Sequence, residues 1–185
     1  MATIAVFGGS FNPPHLAHVL AAAVVLATHD VDQLLVVPAF QHPFSKHLAP
    51  YNDRVRMCEL AMGWLPKVHV SRVEEELGGE SLTLRTLEHL ARQHPDWELR
   101  LVLGADVLVD APKWHRFDEV IKLAPPIVLG RAGIHSPAAP PALLPDISST
   151  DVRARIATGA WASLSDVVPK AVLTYIQARG LYAAA

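Results

Sequence analysis

The fold of this chain is decided at residues 8–18, which read Gly8-Gly9-Ser10-Phe11-Asn12-Pro13-Pro14-His15-Leu16-Ala17-His18. The apolar run before this stretch predicts a buried strand, and the run from Val19 to Ala27 after it predicts a helix. Glycines, a hydroxyl and two histidines therefore lie where a strand passes into the N-terminus of a helix. Free backbone N–H groups and the helix dipole make such a junction a binding site for anions.

The two histidines are the strongest chemical signal in this stretch. His15 and His18 are three residues apart in the first turn of the predicted helix, so they share one face. Their imidazoles can donate hydrogen bonds to phosphate, which Gly8 and Gly9 would let approach the backbone closely. Two other interpretations stay open: a tight turn before a helix started by proline, and a metal site whose third ligand comes from elsewhere.

Strand-like and helix-like segments alternate along the whole chain. The predicted strands are Ala2–Phe7, Gln33–Pro38, Val68–Val73, Leu99–Leu103 and Ile127–Leu129. The predicted helices are His15–Thr28, Tyr51–Trp64 capped by Asn52, Leu82–Gln93 capped by Ser81, Phe117–Leu123, Asp151–Thr158, and Pro169–Ala178 ending before Gly180. Residues 74–79 are predicted to form a polar turn, and residues 132–146, rich in Pro and Ala, an extended loop.

This alternation predicts an α/β fold, a Rossmann-like open and mostly parallel sheet with helices on both faces. We expect one domain over residues 1–185, with a helical C-terminal part at 147–185. Ligands of such sheets bind at the carboxyl ends of the strands. Both Gly8–His18 and Gly104–Asp106 are predicted to lie there.

Composition limits the classes of partner. The net charge of −2 indicates no general basic surface for nucleic acid, so local groups must hold any phosphate ligand. A single cysteine, Cys58, excludes an internal disulfide and a multi-cysteine metal site, and its helical context predicts a buried side chain. No apolar run approaches the length of a membrane span, and no basic segment precedes Val19–Ala27, so we expect a cytoplasmic protein with no membrane partner.

A second group of polar residues lies far along the chain, at Ile147-Ser148-Ser149-Thr150-Asp151-Val152-Arg153. Hydroxyls at a helix N-terminus can cap the helix, or they can bind phosphate together with free N–H groups. Arg153 follows Thr150 by three residues and so lies on the same face, where a guanidinium can bind phosphate oxygens in a bidentate manner. Both interpretations stay open at this point.

Residues 9–18 resemble the G-[ST]-F-[DN]-P-x-H-x-G-H signature of the nucleotidyltransferase superfamily, and residues 147–153 resemble its second motif, I-S-S-T-x-[IV]-R. Within that superfamily the chain is most similar to the bacterial nicotinate-nucleotide adenylyltransferases. The resemblance covers nearly the whole chain. It includes three further segments, Gly104-Ala105-Asp106, Pro112-Lys113-Trp114 and Gly180-Leu181-Tyr182. The resemblance implies adenylyl transfer from ATP, accompanied by Mg²⁺, to nicotinate mononucleotide.

The resemblance also implies roles for individual residues. His15 and His18 would act at the α-phosphate of ATP. The polyphosphate would be held by Ser10, the backbone of Gly8, Gly9 and Phe11, Lys46, Ser149, Thr150 and Arg153. Asp106 would bind the adenosine ribose, Trp114 would stack on the pyridine ring, and Thr83 would lie near the nicotinate. Lys46 could equally be a solvated loop lysine, Asp106 a helix cap, Trp114 a core residue and Thr83 an ordinary first-turn residue.

The chain departs from the family pattern at three places. Ala17 stands in place of the usual glycine, Leu82 in place of the tyrosine of an S-Y-T segment, and residues 41–46 match the P-P-H-K loop only loosely. The alternatives are therefore a related adenylyltransferase with nicotinamide mononucleotide or phosphopantetheine as acceptor, or an ATP-binding sensor without catalysis. A fragment of a class I aminoacyl-tRNA synthetase and a redox Rossmann enzyme are disfavoured, because neither a K-M-S-K-S element nor a G-x-G-x-x-G motif is present. The sequence predicts no oligomeric state.

Overall fold

The computed structural model contains one six-stranded sheet in which every neighbouring pair of strands is parallel. The structure describes residues 1–41, 48–105, 107, 114–133 and 140–183. The strands are β1 (Ala2–Gly9), β2 (Gln33–Pro38), β3 (Val68–Val70), β4 (Trp97–Gly104), β5 (Pro126–Arg131) and β6 (Ala142–Leu144). Their order across the sheet is β3-β2-β1-β4-β5-β6, which confirms the predicted Rossmann-like α/β class.

Helices cover both faces of this sheet, because the central strands are apolar on both sides. They are α1 (Leu16–Thr28), α2 (Tyr51–Met62), α3 (Val73–Leu77), α4 (Thr83–Gln93), α5 (Phe117–Leu123), α6 (Ser149–Ala157) and α7 (Lys170–Arg179), with a 3₁₀ turn at Trp161–Leu164. One apolar cluster joins α1, α2, α6 and α7 to the sheet, and a second joins α3, α4 and α5 to the opposite face. In the described part of the chain, no helix is both long enough and apolar enough to span a membrane.

The sheet opens at its centre, between β1 and β4. The ladder between these strands ends at the pair Val6–Leu101, yet β1 continues to Gly9 and β4 to Gly104. Beyond Val6, β1 stays paired with β2, while β4 stays paired with β5. The chain also changes direction across the sheet at β1 and β4, and such a switch point is where open α/β sheets bind their ligands.

Several predicted boundaries need correction. The predicted loop at 132–146 contains β6, a three-residue edge strand that is defined by its pairing with β5. The predicted third strand ends early, because Val73 begins α3, which replaces most of the predicted polar turn.

The predicted helix caps are wrong at two of the helices. Pro50 occupies the N-cap position of α2 and Asn52 lies inside that helix, while Leu82 occupies the N-cap position of α4. Ser81 instead accepts a hydrogen bond at 2.8 Å from the backbone N–H of Phe40. The burial of Cys58 and the end of the last helix before Gly180, which lies in the left-handed region (φ 63°), are as predicted.

Candidate active site

The phosphate-loop candidate, residues 8–11, lies at the carboxyl end of β1 beside the opening in the sheet. Gly8 is exposed, and a Cβ added there would meet no atom within 4 Å, so its backbone is open to a ligand. Gly9 instead leaves room for a neighbouring side chain, because a Cβ there would lie 3.2 Å from the ring of Phe11. Phe11 is buried with a positive φ of 45°, which turns the chain sharply after Ser10. The Ser10 hydroxyl makes no hydrogen bond to any described residue.

The two histidine rings pack against each other at the start of α1, with their planes inclined by 34°. Their ring centroids are 3.8 Å apart, and the His18 ring also packs against Phe11 at 5.0 Å. His15 is the N-cap residue and is 5% exposed, whereas His18 is half-buried. The Nδ1 atom of His15 is buried and has no hydrogen-bond partner among the described residues. A buried polar atom in this condition costs free energy that a bound polar ligand can offset.

The tautomer of His18 follows from its contact with the backbone. Its Nδ1 accepts a hydrogen bond at 3.1 Å from the backbone N–H of His15, so the proton of the neutral ring lies on Nε2. Burial, the neighbouring His15 ring and the Arg131 guanidinium hold the pKa of His18 well below its usual value of 6.5. Burial and then Arg131 lower the pKa of His15 to about 4. Both rings are therefore neutral near pH 7 and able to donate one hydrogen bond each.

These pKa shifts predict acid sensitivity. In the pH range between about 6.5 and about 4, an unfolded chain protonates His15 while the folded chain does not, so the free energy of unfolding falls as the pH falls. The loss attributable to His15 alone should reach about 3 kcal/mol at the acid end. Urea unfolding of the wild type and of His15→Asn at about pH 7 and about pH 5 measures it.

We expect the His15→Asn variant to lose less stability on acidification than the wild type does. The matched control is His29→Asn, at the exposed C-terminal end of the same helix, which should follow the wild-type dependence. Equal losses in wild type and His15→Asn would contradict the low pKa of His15.

The second motif packs directly against the first. The Ser149 hydroxyl donates to the carbonyl of Pro13 at 2.9 Å, and Nη1 of Arg153 donates to the carbonyl of Asn12 at 2.7 Å. Ser148 caps α6 by accepting from the N–H of Asp151 at 3.1 Å. From the sequence, the hydroxyl groups of this motif could either cap the helix or bind phosphate. In the structure, the hydroxyl that caps α6 is that of Ser148. The hydroxyl of Thr150, which is exposed, accepts a hydrogen bond from Arg153 Nη2 at 3.3 Å and donates to no described residue.

Three residues at this site were not singled out from the sequence. The side-chain oxygen of Asn12 accepts from the N–H of Ala49 at 3.0 Å and from the hydroxyl of Tyr182 at 2.8 Å, which brings the C-terminus to the first motif. Arg131 ends β5, donates to the carbonyl of Ile147 and pairs with Asp146 at 3.2 Å. Arg54 lies buried beneath the loop. No local sequence pattern marks Arg54 or Arg131, because their partners are distant along the chain.

Of the other predicted binding residues, the structure describes Thr83 and Trp114. Thr83 is the first residue of α4, close to the carboxyl end of β2, since Ser81 bonds the backbone of both Phe40 and Gln41. Trp114 packs edge-on against Phe117 at 5.8 Å, on the side of the sheet covered by α3, α4 and α5. Lys46 and Asp106 lie outside the described residues. Across the described ranges, no group of three or more His, Cys, Asp or Glu side chains could hold a metal ion.

Known proteins of similar sequence and fold indicate the family of this chain. The family model described as cytidylyltransferase-like matches residues 6–155. A probable nicotinate-nucleotide adenylyltransferase of Anaeromyxobacter dehalogenans strain 2CP-C is 50% identical over 97% of this chain and 96% of its own length. One of the same name from Myxococcus xanthus is 40% identical over 97% of this chain and 94% of its own. The Plasmodium falciparum nicotinic acid mononucleotide adenylyltransferase complexed with APC superimposes with a TM-score of 0.85 over 98% of both chains at 18% identity, which shows a shared fold.

Proposed function

Because this chain belongs to the nicotinate-nucleotide adenylyltransferase family, we propose that it transfers the adenylyl group of ATP to nicotinate mononucleotide. The products are deamido-NAD, an intermediate of NAD biosynthesis, and pyrophosphate. The observation that carries the proposal is the joining of the two motifs: Ser149 and Arg153 bond the backbone of residues 12–13 next to the histidine pair. One triphosphate can therefore contact both motifs at the opening between β1 and β4.

The reaction is an in-line displacement at phosphorus. An oxygen of the 5′-phosphate of nicotinate mononucleotide forms a bond to the α-phosphorus of ATP. The bond from that phosphorus to the bridging oxygen breaks, and pyrophosphate leaves with the electron pair. The attacking phosphate is already nucleophilic, so the protein supplies positioning and stabilisation of the charge on the transferring group.

Each part of the site has a place in this step. Nε2–H of His18 donates to a non-bridging oxygen of the α-phosphate, with His15 beside it. The N–H groups of Gly8 to Phe11 and the Ser10 hydroxyl bind phosphate oxygens, while Ser149, Thr150 and Arg153 hold the β- and γ-phosphates. In this structure the Ser149 hydroxyl donates its hydrogen bond to the carbonyl of Pro13. Ser149 therefore contributes either by orienting α6 or by exchanging that carbonyl for a phosphate oxygen. The remaining assignments are Lys46 to phosphate, Asp106 to the ribose, and Thr83 and Trp114 to the nicotinate.

Mg²⁺ enters as part of the substrate, MgATP. It neutralises the polyphosphate and keeps several water ligands, and oxygen ligands from phosphate suit it. The donor set near the loop consists of backbone N–H groups, hydroxyls, imidazoles and guanidinium groups, which fit the phosphate oxygens of a MgATP complex.

We further propose that residues 1–185 form one nucleotidyltransferase domain. The C-terminal helices α6 and α7 share a single apolar cluster with α1, α2 and the sheet, which supports this view. The hydroxyl of Tyr182, near the end of the chain, also bonds the first motif.

A side-by-side assay of acceptors tests the proposed function. Pyrophosphate release from MgATP is measured with nicotinate mononucleotide, nicotinamide mononucleotide and phosphopantetheine at equal concentrations. We expect the highest kcat/KM with nicotinate mononucleotide. Equal or better turnover with another acceptor would assign the chain to a different acceptor, and ATP binding without pyrophosphate release from any of them would identify a sensor.

A further inference from the structure

Arg54 is a buried cation beneath the candidate phosphate loop. It lies in the first turn of α2, is 1% exposed, and directs its guanidinium toward backbone carbonyl oxygens. Nε donates to Ala49 at 3.0 Å, Nη1 to Ser10 at 3.0 Å and Nη2 to Phe40 at 3.5 Å. The planar fork of a guanidinium can reach acceptors in three directions at once, which a lysine ammonium on a flexible stem does less well.

The three carbonyl groups belong to two parts of the site. Ser10 is in the candidate phosphate loop, while Phe40 and Ala49 flank residues 41–48 on either side. The peptide N–H of Ala49 is bonded as well, by the side-chain oxygen of Asn12. One guanidinium therefore joins Phe40 and Ala49 to Ser10 at the junction between strand β1 and helix α1.

In the part of the chain that the structure describes, the charge of Arg54 has no acidic partner. Among the described residues, no carboxylate lies within 4.0 Å of it, and the centroid of the Tyr51 ring is 5.5 Å from its guanidinium carbon. Burial lowers the pKa of Arg54, although arginine stays charged in proteins. An apolar side chain of similar volume would avoid this desolvation cost, so the fold alone does not call for a cation here.

We propose that Arg54 is a positioning residue for the adenylyl transfer. It holds the carbonyl of Ser10 so that the loop is ordered before the triphosphate binds, and it fixes Phe40 and Ala49 relative to that loop. The proposal rests on the proposed function, since it concerns the same site. It requires the three-way hydrogen bonding of the guanidinium rather than its charge alone.

The test compares Arg54→Lys, Arg54→Met and a matched control, Arg56→Met. Arg56 lies two residues further along α2 and is exposed, and among the described residues its one ion pair is with Glu59 at 2.9 Å on the surface, so its removal should change little. For each protein, kcat and KM are measured separately for MgATP and for nicotinate mononucleotide, together with the midpoint of thermal unfolding.

We expect KM for MgATP to rise about tenfold and kcat to fall several-fold in both Arg54 variants, because a loop that must be ordered on binding costs affinity and misplaces the reacting groups. Arg56→Met should keep wild-type constants. A lower fraction of folded enzyme would reduce the apparent kcat but could not raise KM. A raised KM for MgATP therefore distinguishes a positioning role of Arg54 from a merely structural one.

Three outcomes would overturn the proposal: wild-type constants in both Arg54 variants, full activity in Arg54→Lys with loss only in Arg54→Met, or unfolding of Arg54→Lys below the assay temperature. The first excludes a role, the second assigns the effect to charge, and the third assigns Arg54 to the fold. If the wild type itself releases no pyrophosphate, the proposed function fails instead, and the two failures are distinguishable.

Discussion

Replacing His18 by alanine is expected to lower kcat about 10²–10³-fold while leaving the fold intact. The Nε2–H of this ring is the donor that we place at the α-phosphate, and removal of one well-placed donor to developing charge has a cost of about this size. KM for MgATP should change much less, because in the proposed site the loop backbone and the second motif also bind the substrate in its ground state. Initial rates of pyrophosphate release at saturating substrates measure the effect.

Two further variants sharpen the His18 prediction. His18→Gln can place an amide N–H near the position of Nε2, so it should keep more activity than His18→Ala. His29→Ala, at the exposed other end of α1, should keep the wild-type rate. A folded His18→Ala protein with more than about a tenth of wild-type kcat would show that this ring is not a principal donor.

Because the pKa of each histidine at this site is lowered, both rings are neutral near pH 7 before any substrate binds. With neutral rings, the donors that the proposed site offers to the triphosphate are hydrogen-bond dipoles, and the fixed positive charge there comes from guanidinium groups. Arg131 lies near the rings, and Arg153 bonds residue 12 from the other motif. A bound triphosphate brings negative charge, which favours protonation of an imidazole. Binding of MgATP should therefore be accompanied by some proton uptake at acid pH.

The sequence predicted the centre of the fold well because its signals there are local. A continuous apolar strand, glycines and a proline-led helix start identify the β1–α1 junction without any tertiary information. The second motif was found for the same reason, since Ser148 to Arg153 carry a helix start within a few residues. That the two motifs meet followed from the family resemblance, and the bonds of Ser149 and Arg153 to residues 12–13 now supply the geometry.

The missed features depend on contacts that are distant in sequence. Ala142–Leu144 is a strand only because β5 pairs with it, and a short segment after many prolines carries no pattern of its own. Glu74 looked like part of a polar turn, yet it is 7% exposed and accepts a hydrogen bond from the Thr86 hydroxyl at 2.5 Å. Arg54 lies in the predicted helix Tyr51–Trp64 and was assigned no role from the sequence, because its partner Ser10 lies 44 residues away.

The second large effect is expected at Arg153. Its Nη1 bonds the carbonyl of Asn12 and its Nη2 the hydroxyl of Thr150, so the same fork that joins the motifs presents its donors beside the candidate polyphosphate site. Arg153→Met should lower kcat/KM for MgATP about a hundredfold, because the proposed guanidinium–phosphate contact and the positioning of α6 would be lost together. Arg153→Lys should recover only a small part, since an ammonium lacks the planar fork.

The control for Arg153 lies on the same helix. Arg155 is two residues further along and pairs with Asp151 at 2.6 Å on a partly exposed surface, so Arg155→Met removes an equal charge without touching the first motif. Steady-state constants for the three variants, read beside their unfolding midpoints, separate loss of phosphate binding from loss of structure. If Arg155→Met and Arg153→Met reduce kcat/KM equally, general charge explains the effect. If neither does, α6 takes no part in holding the triphosphate and the two-motif site must be abandoned.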